Sequence, residues 1–258
     1  MPPLSNAPEI KLNGYEIPNT IVWKEHGELV RQIRNEIESA MSPILISIDG
    51  APGSGKSYKV DVLREGLMEL DLSVVEHGMD RHLKTIPGTP ERARLHKSDE
   101  DFRELYCDDT GAAAFLNQLL TAEDGDIVQQ NQVYSRSSRG VVEGRPIYIP
   151  HGEKRVVIFE GTGATSISKL TDGNRIPIFN YTDLQGALDA KLKRDEQRGI
   201  QERTTFHIQD IVMATRLRCM PIMSDEDLIY FDNTMNLKLA LEQYNIRRGR
   251  MVGQVVDQ

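Results

Sequence analysis

The segment Gly50-Ala51-Pro52-Gly53-Ser54-Gly55-Lys56-Ser57 constrains this chain more than any other. It fits Gly-x-x-x-x-Gly-Lys-Ser and stands between the β-branched run Ile44-Leu45-Ile46-Ser47-Ile48 and a stretch in which Val60, Leu63, Leu67 and Leu70 recur every three or four residues. Strand, glycine-rich turn and amphipathic helix in that order is the context in which the pattern signifies phosphate binding. Gly50, Gly53 and Gly55 let the backbone turn tightly enough to aim successive N–H groups inward, and the helix adds its positive N-terminal end. The expected nucleotide contacts are therefore Gly50, Gly53, Ser54, Gly55, Lys56 and Ser57. Lys56 is expected to reach the β- and γ-phosphates, and the Ser57 hydroxyl to ligate Mg²⁺.

The rest of the chain supplies the sheet that such a loop needs. Leu72–Glu76 and the nearly all-apolar run Arg155–Phe159 read as strands covered on both faces, and Ile176–Tyr181 and Leu228–Phe231 as two more. Helices are expected at Glu25–Met41, Gly111–Leu120 and Asp183–Arg198. The alternation predicts an α/β fold: a P-loop NTPase architecture with a mainly parallel central sheet flanked by helices, plus a substrate-side hairpin and a helical lid. The 258 residues read as one domain. Residues 1–43 form a proline-rich arm and the first helix, 126–150 the hairpin beside the sheet, and 190–205 the lid. The first helix can pack on the sheet or on a second subunit, which leaves a homodimer open.

Composition removes several classes. With 31 basic against 39 acidic residues and a net charge of -8, no continuous basic stripe exists for nucleic acid. Only Cys107 and Cys219 are present, outside any CxxC spacing, so both are expected to be reduced. The start lacks a charged segment followed by an apolar run, and no apolar stretch approaches the ~20 residues of a membrane span. The expectation is a cytoplasmic protein with neither a membrane nor a nucleic-acid partner. An Asn-Lys-x-Asp base-reading segment is absent, and Asp108-Asp109-Thr110-Gly111 follows no apolar strand. That segment reads instead as a helix start capped by Asp109 or Thr110, and ATP as the nucleotide.

A phosphoryl transfer to an alcohol requires a carboxylate near the acceptor hydroxyl. Asp80, just past the end of the second strand, is the first candidate, since open α/β sheets place ligands there. A solvated turn aspartate is the bland alternative. Neighbouring Arg81 can contact an acceptor, and His77 reads as structural. Glu160 ends the run RVVIFEG at the same sheet edge as the phosphate loop, the arrangement in which a carboxylate holds Mg²⁺ directly or through water, with Asp49 competing for a supporting role. Between the hairpin halves, Tyr134, Arg136 and Arg139 offer a ring and two guanidinium forks, or else a plain surface loop. Lys191, Arg194 and Arg198 share one helical face, which is either solvated or a lid that closes on the phosphates.

This set of residues resembles the uridine kinase and phosphoribulokinase-like branch of P-loop kinases, which includes one type of pantothenate kinase. The resemblance runs over most of Ile44–Thr234: GAPGSGKS, Asp80, the Gly111 helix, Tyr134, Glu160-Gly161, Arg194-Asp195 through Arg198-Gly199, and Asp232-Asn233-Thr234 follow in the family's order. It implies that Asp80 is the base, Glu160 serves the metal site, Arg194 and Arg198 belong to the lid, and Tyr134 with Arg136 or Arg139 faces the acceptor. The expected activity is ATP- and Mg²⁺-dependent phosphorylation of a small-molecule hydroxyl on a nucleoside, sugar phosphate, pantothenate-like or specialised metabolite. The alternatives are an ATP-binding regulatory or assembly protein and a kinase of a macromolecule.

Overall fold

The computed structural model describes residues 22–23, 25–85, 92, 94–135, 140–182, 184–197, 205–223, 225 and 227–233. Its centre is a six-stranded sheet built from β1 (Val22–Trp23), β2 (Ile44–Asp49), β3 (Leu72–Gly78), β8 (Lys154–Glu160), β9 (Asn174–Tyr181) and β10 (Ile229–Asp232). The order is β1-β10-β9-β2-β8-β3, and every pairing is parallel. The phosphate-loop strand β2 thus lies between β8 and β9, and the chain leaves it first to one side and later to the other. Such a reversal opens a crevice beyond the carboxyl ends of the strands.

Alternation along the strands feeds two cores. Ile44, Ile46 and Ile48 of β2 join Val156, Ile158, Ile176, Ile178 and Phe231 on one face. That face is covered by helices α1 (His26–Ser39) and α2 (Lys56–Leu67) through Leu29, Ile33, Ile37, Val60, Leu63 and Leu67. The apolar stripe of α1 is therefore spent on the sheet. On the other face Leu45, Val75, Val157 and Phe159 meet α3 (Asp99–Tyr106), α4 (Asp109–Thr121) and α5 (Ala164–Ser168). Burying strands on both faces is what their near-continuous apolar runs require.

The departures from the expected elements have local causes. The edge strand β1 was not foreseen, because two residues carry no readable period. Helix α4 begins at Asp109, and its cap is Asp108, whose carboxylate accepts from the Gly111 N–H at 3.1 Å, rather than Asp109 or Thr110. Helix α3 was missed although its cap is standard: Ser98 Oγ accepts from the Asp101 N–H. The hairpin segment forms two ladders, β4 (Ile127–Val128) with β7 (Ile147–Tyr148) and β5 (Gln132–Ser135) with β6 (Gly140–Glu143). Helix α6 (Leu184–Gln197) covers the first part of the segment expected as a lid, whose residues 198–204 lie outside the described ones, and α7 (Thr205–Ala214) and a π-helical turn over Thr215–Cys219 follow. Among the described residues no helix is long and apolar enough to cross a membrane.

Candidate active site

At the carboxyl end of β2 the loop glycines Gly50, Gly53 and Gly55 have φ of 143°, 95° and 88°, values that exclude most side chains. Space reinforces dihedral: a Cβ on Gly53 would strike the Ala187 carbonyl of α6. The loop is pinned from the far strands. Ser54 O accepts Asn180 Nδ2 at 2.6 Å and Asn233 Nδ2 at 2.7 Å, two buried amides at the ends of β9 and β10. The Lys56 ammonium lies 2.9 Å from both Gly50 O and Ala51 O and 3.4 Å from Thr162 Oγ1.

Helix α2 starts at Lys56 behind Gly55 without a side-chain cap, so its first N–H groups are available to a ligand. Ser54 Oγ is buried and has no hydrogen-bond partner among the described residues. Both features, with the left-handed glycines, fit a bound phosphate chain. One turn on, Ser57 Oγ is 3.2 Å from Glu160 Oε1, and an all-oxygen pair of this kind suits Mg²⁺.

Asp49 supports the backbone around the loop. Fully buried, its carboxylate accepts from the Gly50 N–H at 2.7 Å, the Gly163 N–H at 2.9 Å and the Thr165 N–H at 3.0 Å. It therefore knits the first loop amide to the turn that follows Glu160. Burial raises its pKa above the ordinary carboxylate value, and the three amides oppose that rise.

Asp80 sits in the short 3₁₀ turn Met79–His82 that continues β3, at the same sheet edge as Glu160 and the phosphate loop, and strand β5, which carries Tyr134, packs against that turn. Tyr134 is buried and Arg81 half-buried. Beneath them His77 Nε2 and His82 Nε2 are 2.7 Å apart, and Gln130 Nε2 approaches His82 Nδ1 at 3.3 Å. Burial drives His82 down to about 4 and His77 well below its usual value, so both rings are neutral near pH 7. The structural reading of His77 fits this position. Arg136, Arg139 and Arg198 lie outside the described residues; Arg194 lies in α6, and its side chain is outside them too.

Sequence reasoning missed a further wall. Tyr106, at the end of α3, lies between Arg92, whose guanidinium carbon is 4.6 Å from the ring centroid, and Arg218, at 5.3 Å. Arg92 and His96 converge on Asp210 of α7 at 2.9 Å and 2.6 Å. Arg218, from the π-helical turn, donates Nε to Thr162 O at 3.0 Å and Nη2 to Asp109 Oδ1 at 2.7 Å. A side chain at Gly163, whose φ is 96°, would collide with that guanidinium. No sequence signal links Arg218 to Thr162, 56 residues earlier, although the glycine pair flanking Thr162 hints at a close approach.

No family model matches the chain, and no curated protein does. Solved structures do. A candidate fructose transport system kinase from Silicibacter sp. TM1040 superposes with a TM-score of 0.53 at 21% identity, covering 80% of this chain and 98% of that one. The likeness is one of fold, an α/β architecture of the P-loop NTPase type. A candidate uridine kinase from Bacillus stearothermophilus also matches, with a TM-score of 0.48 at 15% identity over 79% of this chain and 98% of its own.

Proposed function

We propose that this chain is a cytoplasmic kinase that uses Mg·ATP to phosphorylate a hydroxyl group of a small molecule. The observation that carries the reading is the meeting of Ser57 and Glu160, 3.2 Å apart at the start of the helix behind the phosphate loop. In this reading Lys56 leaves the carbonyls of Gly50 and Ala51 for the phosphates, and the first-turn amides of α2 share their charge. Ser57 and Glu160 would hold Mg²⁺, which supplies charge neutralisation across the β- and γ-phosphates. Asp80 orients the acceptor hydroxyl and takes its proton as the oxygen bonds to the γ-phosphorus, while the bond to the β-phosphate oxygen breaks and ADP departs. Arg194 and Arg198 are assigned to the closing lid, and Arg81, Tyr134, Arg136 and Arg139 to the acceptor side.

The test is ADP release from Mg·ATP with and without a panel of nucleosides, sugars, sugar phosphates and hydroxy acids, with Lys56→Ala as the blank. One acceptor should stimulate release strongly, and Asp80→Asn should keep ATP binding while losing about 10²–10⁴-fold in turnover. ATP bound tightly with no acceptor stimulation would overturn this reading in favour of an ATP-binding regulatory protein or a macromolecular acceptor. Near-normal turnover in Asp80→Asn would overturn the base assignment.

A further inference from the structure

Two histidines stand where aromatic packing alone would fill the space. The His77 ring centroid lies 4.8 Å from that of Phe115 and 6.1 Å from that of Phe159, and His82 lies 6.1 Å from Phe115. Both histidines are buried. Their Nε2 atoms are 2.7 Å apart, and Gln130 Nε2 is 3.3 Å from His82 Nδ1. The three residues come from three elements: His77 from β3, His82 from the turn that carries Asp80, and Gln130 from the hairpin segment between β4 and β5. Apolar side chains here would leave no polar atom to satisfy, so the row of nitrogens calls for a reason beyond packing.

Counting protons gives that row a direction. At 2.7 Å one of the two facing Nε2 atoms holds a proton and the other does not, since two N–H groups would repel and two bare nitrogens would share nothing. The Gln130 amide nitrogen donates, which makes His82 Nδ1 the acceptor and places the His82 proton on Nε2. That proton goes to His77 Nε2, so His77 carries its own on Nδ1. His77 Nδ1 and Gln130 Oε1 are both buried with no hydrogen-bond partner among the described residues. The chain is thus satisfied in its interior and open at both ends, and the tautomer of each ring follows from Gln130. Gln130 is itself fixed in the hairpin: a Cβ on Gly144 would strike its carbonyl oxygen, and Gln129 Nε2 donates to Gly144 O at 3.1 Å. The turn is fixed from the other side, where His82 O accepts from the Asp108 N–H at 2.9 Å and Leu83 bridges Cys107.

We propose that Gln130 is a positioning residue: its bond to His82 couples the hairpin to the turn carrying Asp80, so that an acceptor seated against the hairpin and the base that takes its proton keep one relative position. The link is short where it matters. Asp80 and His82 belong to one four-residue turn, and Asp80 O accepts from the Leu83 N–H at 3.4 Å. Apolar contact between hairpin and turn is non-directional and allows them to slide, whereas hydrogen bonds weaken steeply when misaligned. A reacting group displaced by about 1 Å can cost 10²-fold in rate. This inference rests on the kinase reading above, with Asp80 as its base.

Two measurements at pH 8 test it, one of them without substrate. In protein labelled with ¹⁵N-histidine the ring nitrogen shifts read the tautomers. With signals assigned through His77→Gln and His82→Gln, wild type should show His82 protonated on Nε2 and His77 on Nδ1. Gln130→Glu, whose carboxylate only accepts, should exchange the two tautomers, and Gln130→Met should abolish the preference. In the ADP-release assay with the stimulating acceptor, Gln130→Met should lose about tenfold in kcat with KM for ATP held, and Gln130→Glu should recover most of the loss. A merely structural role would shift the thermal midpoint without that split or that recovery. Both rings in one tautomer, or wild-type tautomers retained in Gln130→Met, would overturn the proposal at its hydrogen-bond chain. If no acceptor stimulates wild type, the kinase reading falls and the positioning role with it. If wild type is an acceptor-stimulated kinase and Gln130→Met turns over as fast, only the positioning role is overturned.

Discussion

Lys59 presents an energetic problem whose solution can be measured. It lies one turn beyond Lys56 on α2, is 0% exposed, and points its ammonium nitrogen at the Phe231 ring, 3.1 Å from the centroid. It has no hydrogen-bond partner among the described residues. Burial lowers its pKa from 10.5 to about 6, so the folded protein carries it as a neutral amine at pH 7. Between these two values the unfolded chain binds one proton more than the native one, and stability must rise with pH across that window. At about 1.4 kcal/mol per pH unit, the cost of holding Lys59 is about 5 kcal/mol at pH 7 and about 2 kcal/mol at pH 9. Lys59→Met keeps most of the buried chain and sets a polarisable sulfur against Phe231. It should therefore stabilise the protein, by an amount that shrinks about 3 kcal/mol from pH 7 to pH 9. Urea unfolding of both proteins followed by circular dichroism at pH 7, 8 and 9 reads this difference, in which all other titrations cancel. His26, driven to about 4 by burial and then by Lys59, titrates below that range. A wild-type-to-variant gap that stays constant over the three pH values would refute the argument and mean that Lys59 remains charged, carried by the face of Phe231.

Other perturbations separate the site from its scaffold. Lys56→Ala should abolish phosphoryl transfer, and titration calorimetry should show nucleotide affinity weakened at least tenfold. Gly53→Ala should do similar damage for a steric reason, because φ of 95° and the Ala187 carbonyl both oppose a side chain; a loop that still binds ATP normally would contradict the close packing of α6. Glu160→Gln should remove most of the gain in ATP affinity that Mg²⁺ confers, while leaving Mg²⁺-free binding near wild type. Arg155→Ala should cost about 1–3 kcal/mol in urea unfolding, since it leaves the buried acceptors of Ser73 and Leu119 without the donor they share with Ala122 and the exposed Asp124.

How much of this was readable in the chain depended on separation along it. The phosphate loop, the strands around it and the Glu160 strand end were legible because each is a local pattern of eight residues or fewer, carried by glycine stereochemistry or by a short apolar run. Arg155 shows the limit even there: it reads as the start of an apolar strand, yet it is a buried hub whose bonds reach Ser73 and Asp124. Asn180 and Asn233 lie 126 and 179 residues from the Ser54 carbonyl they share, and an asparagine at a strand end has no periodicity to distinguish it from a turn residue. Arg92, Tyr106, Asp210 and Arg218 come from four segments and acquire meaning only when α3, α7 and the π-helical turn converge.

The convergence also separates groups that serve the fold from groups left to a ligand. Asp49 accepts from three backbone amides and from Cys219 Sγ, and Arg218 donates to Thr162 and Asp109, so both act as fasteners between the phosphate loop, the turn after Glu160 and the π-helical turn. Among the described residues Lys56 is held by two carbonyls of its own loop and by Thr162, interactions that a charged phosphate would outcompete because it brings an opposite charge. Ser54 Oγ is buried and has no hydrogen-bond partner among the described residues. It lies between the left-handed Gly53 and Gly55, and Thr162 ties the same loop to Arg218 through Lys56. In the proposed kinase these fasteners would hold the loop in place before the phosphoryl group moves, which is the preorganisation that charge stabilisation in the transition state demands.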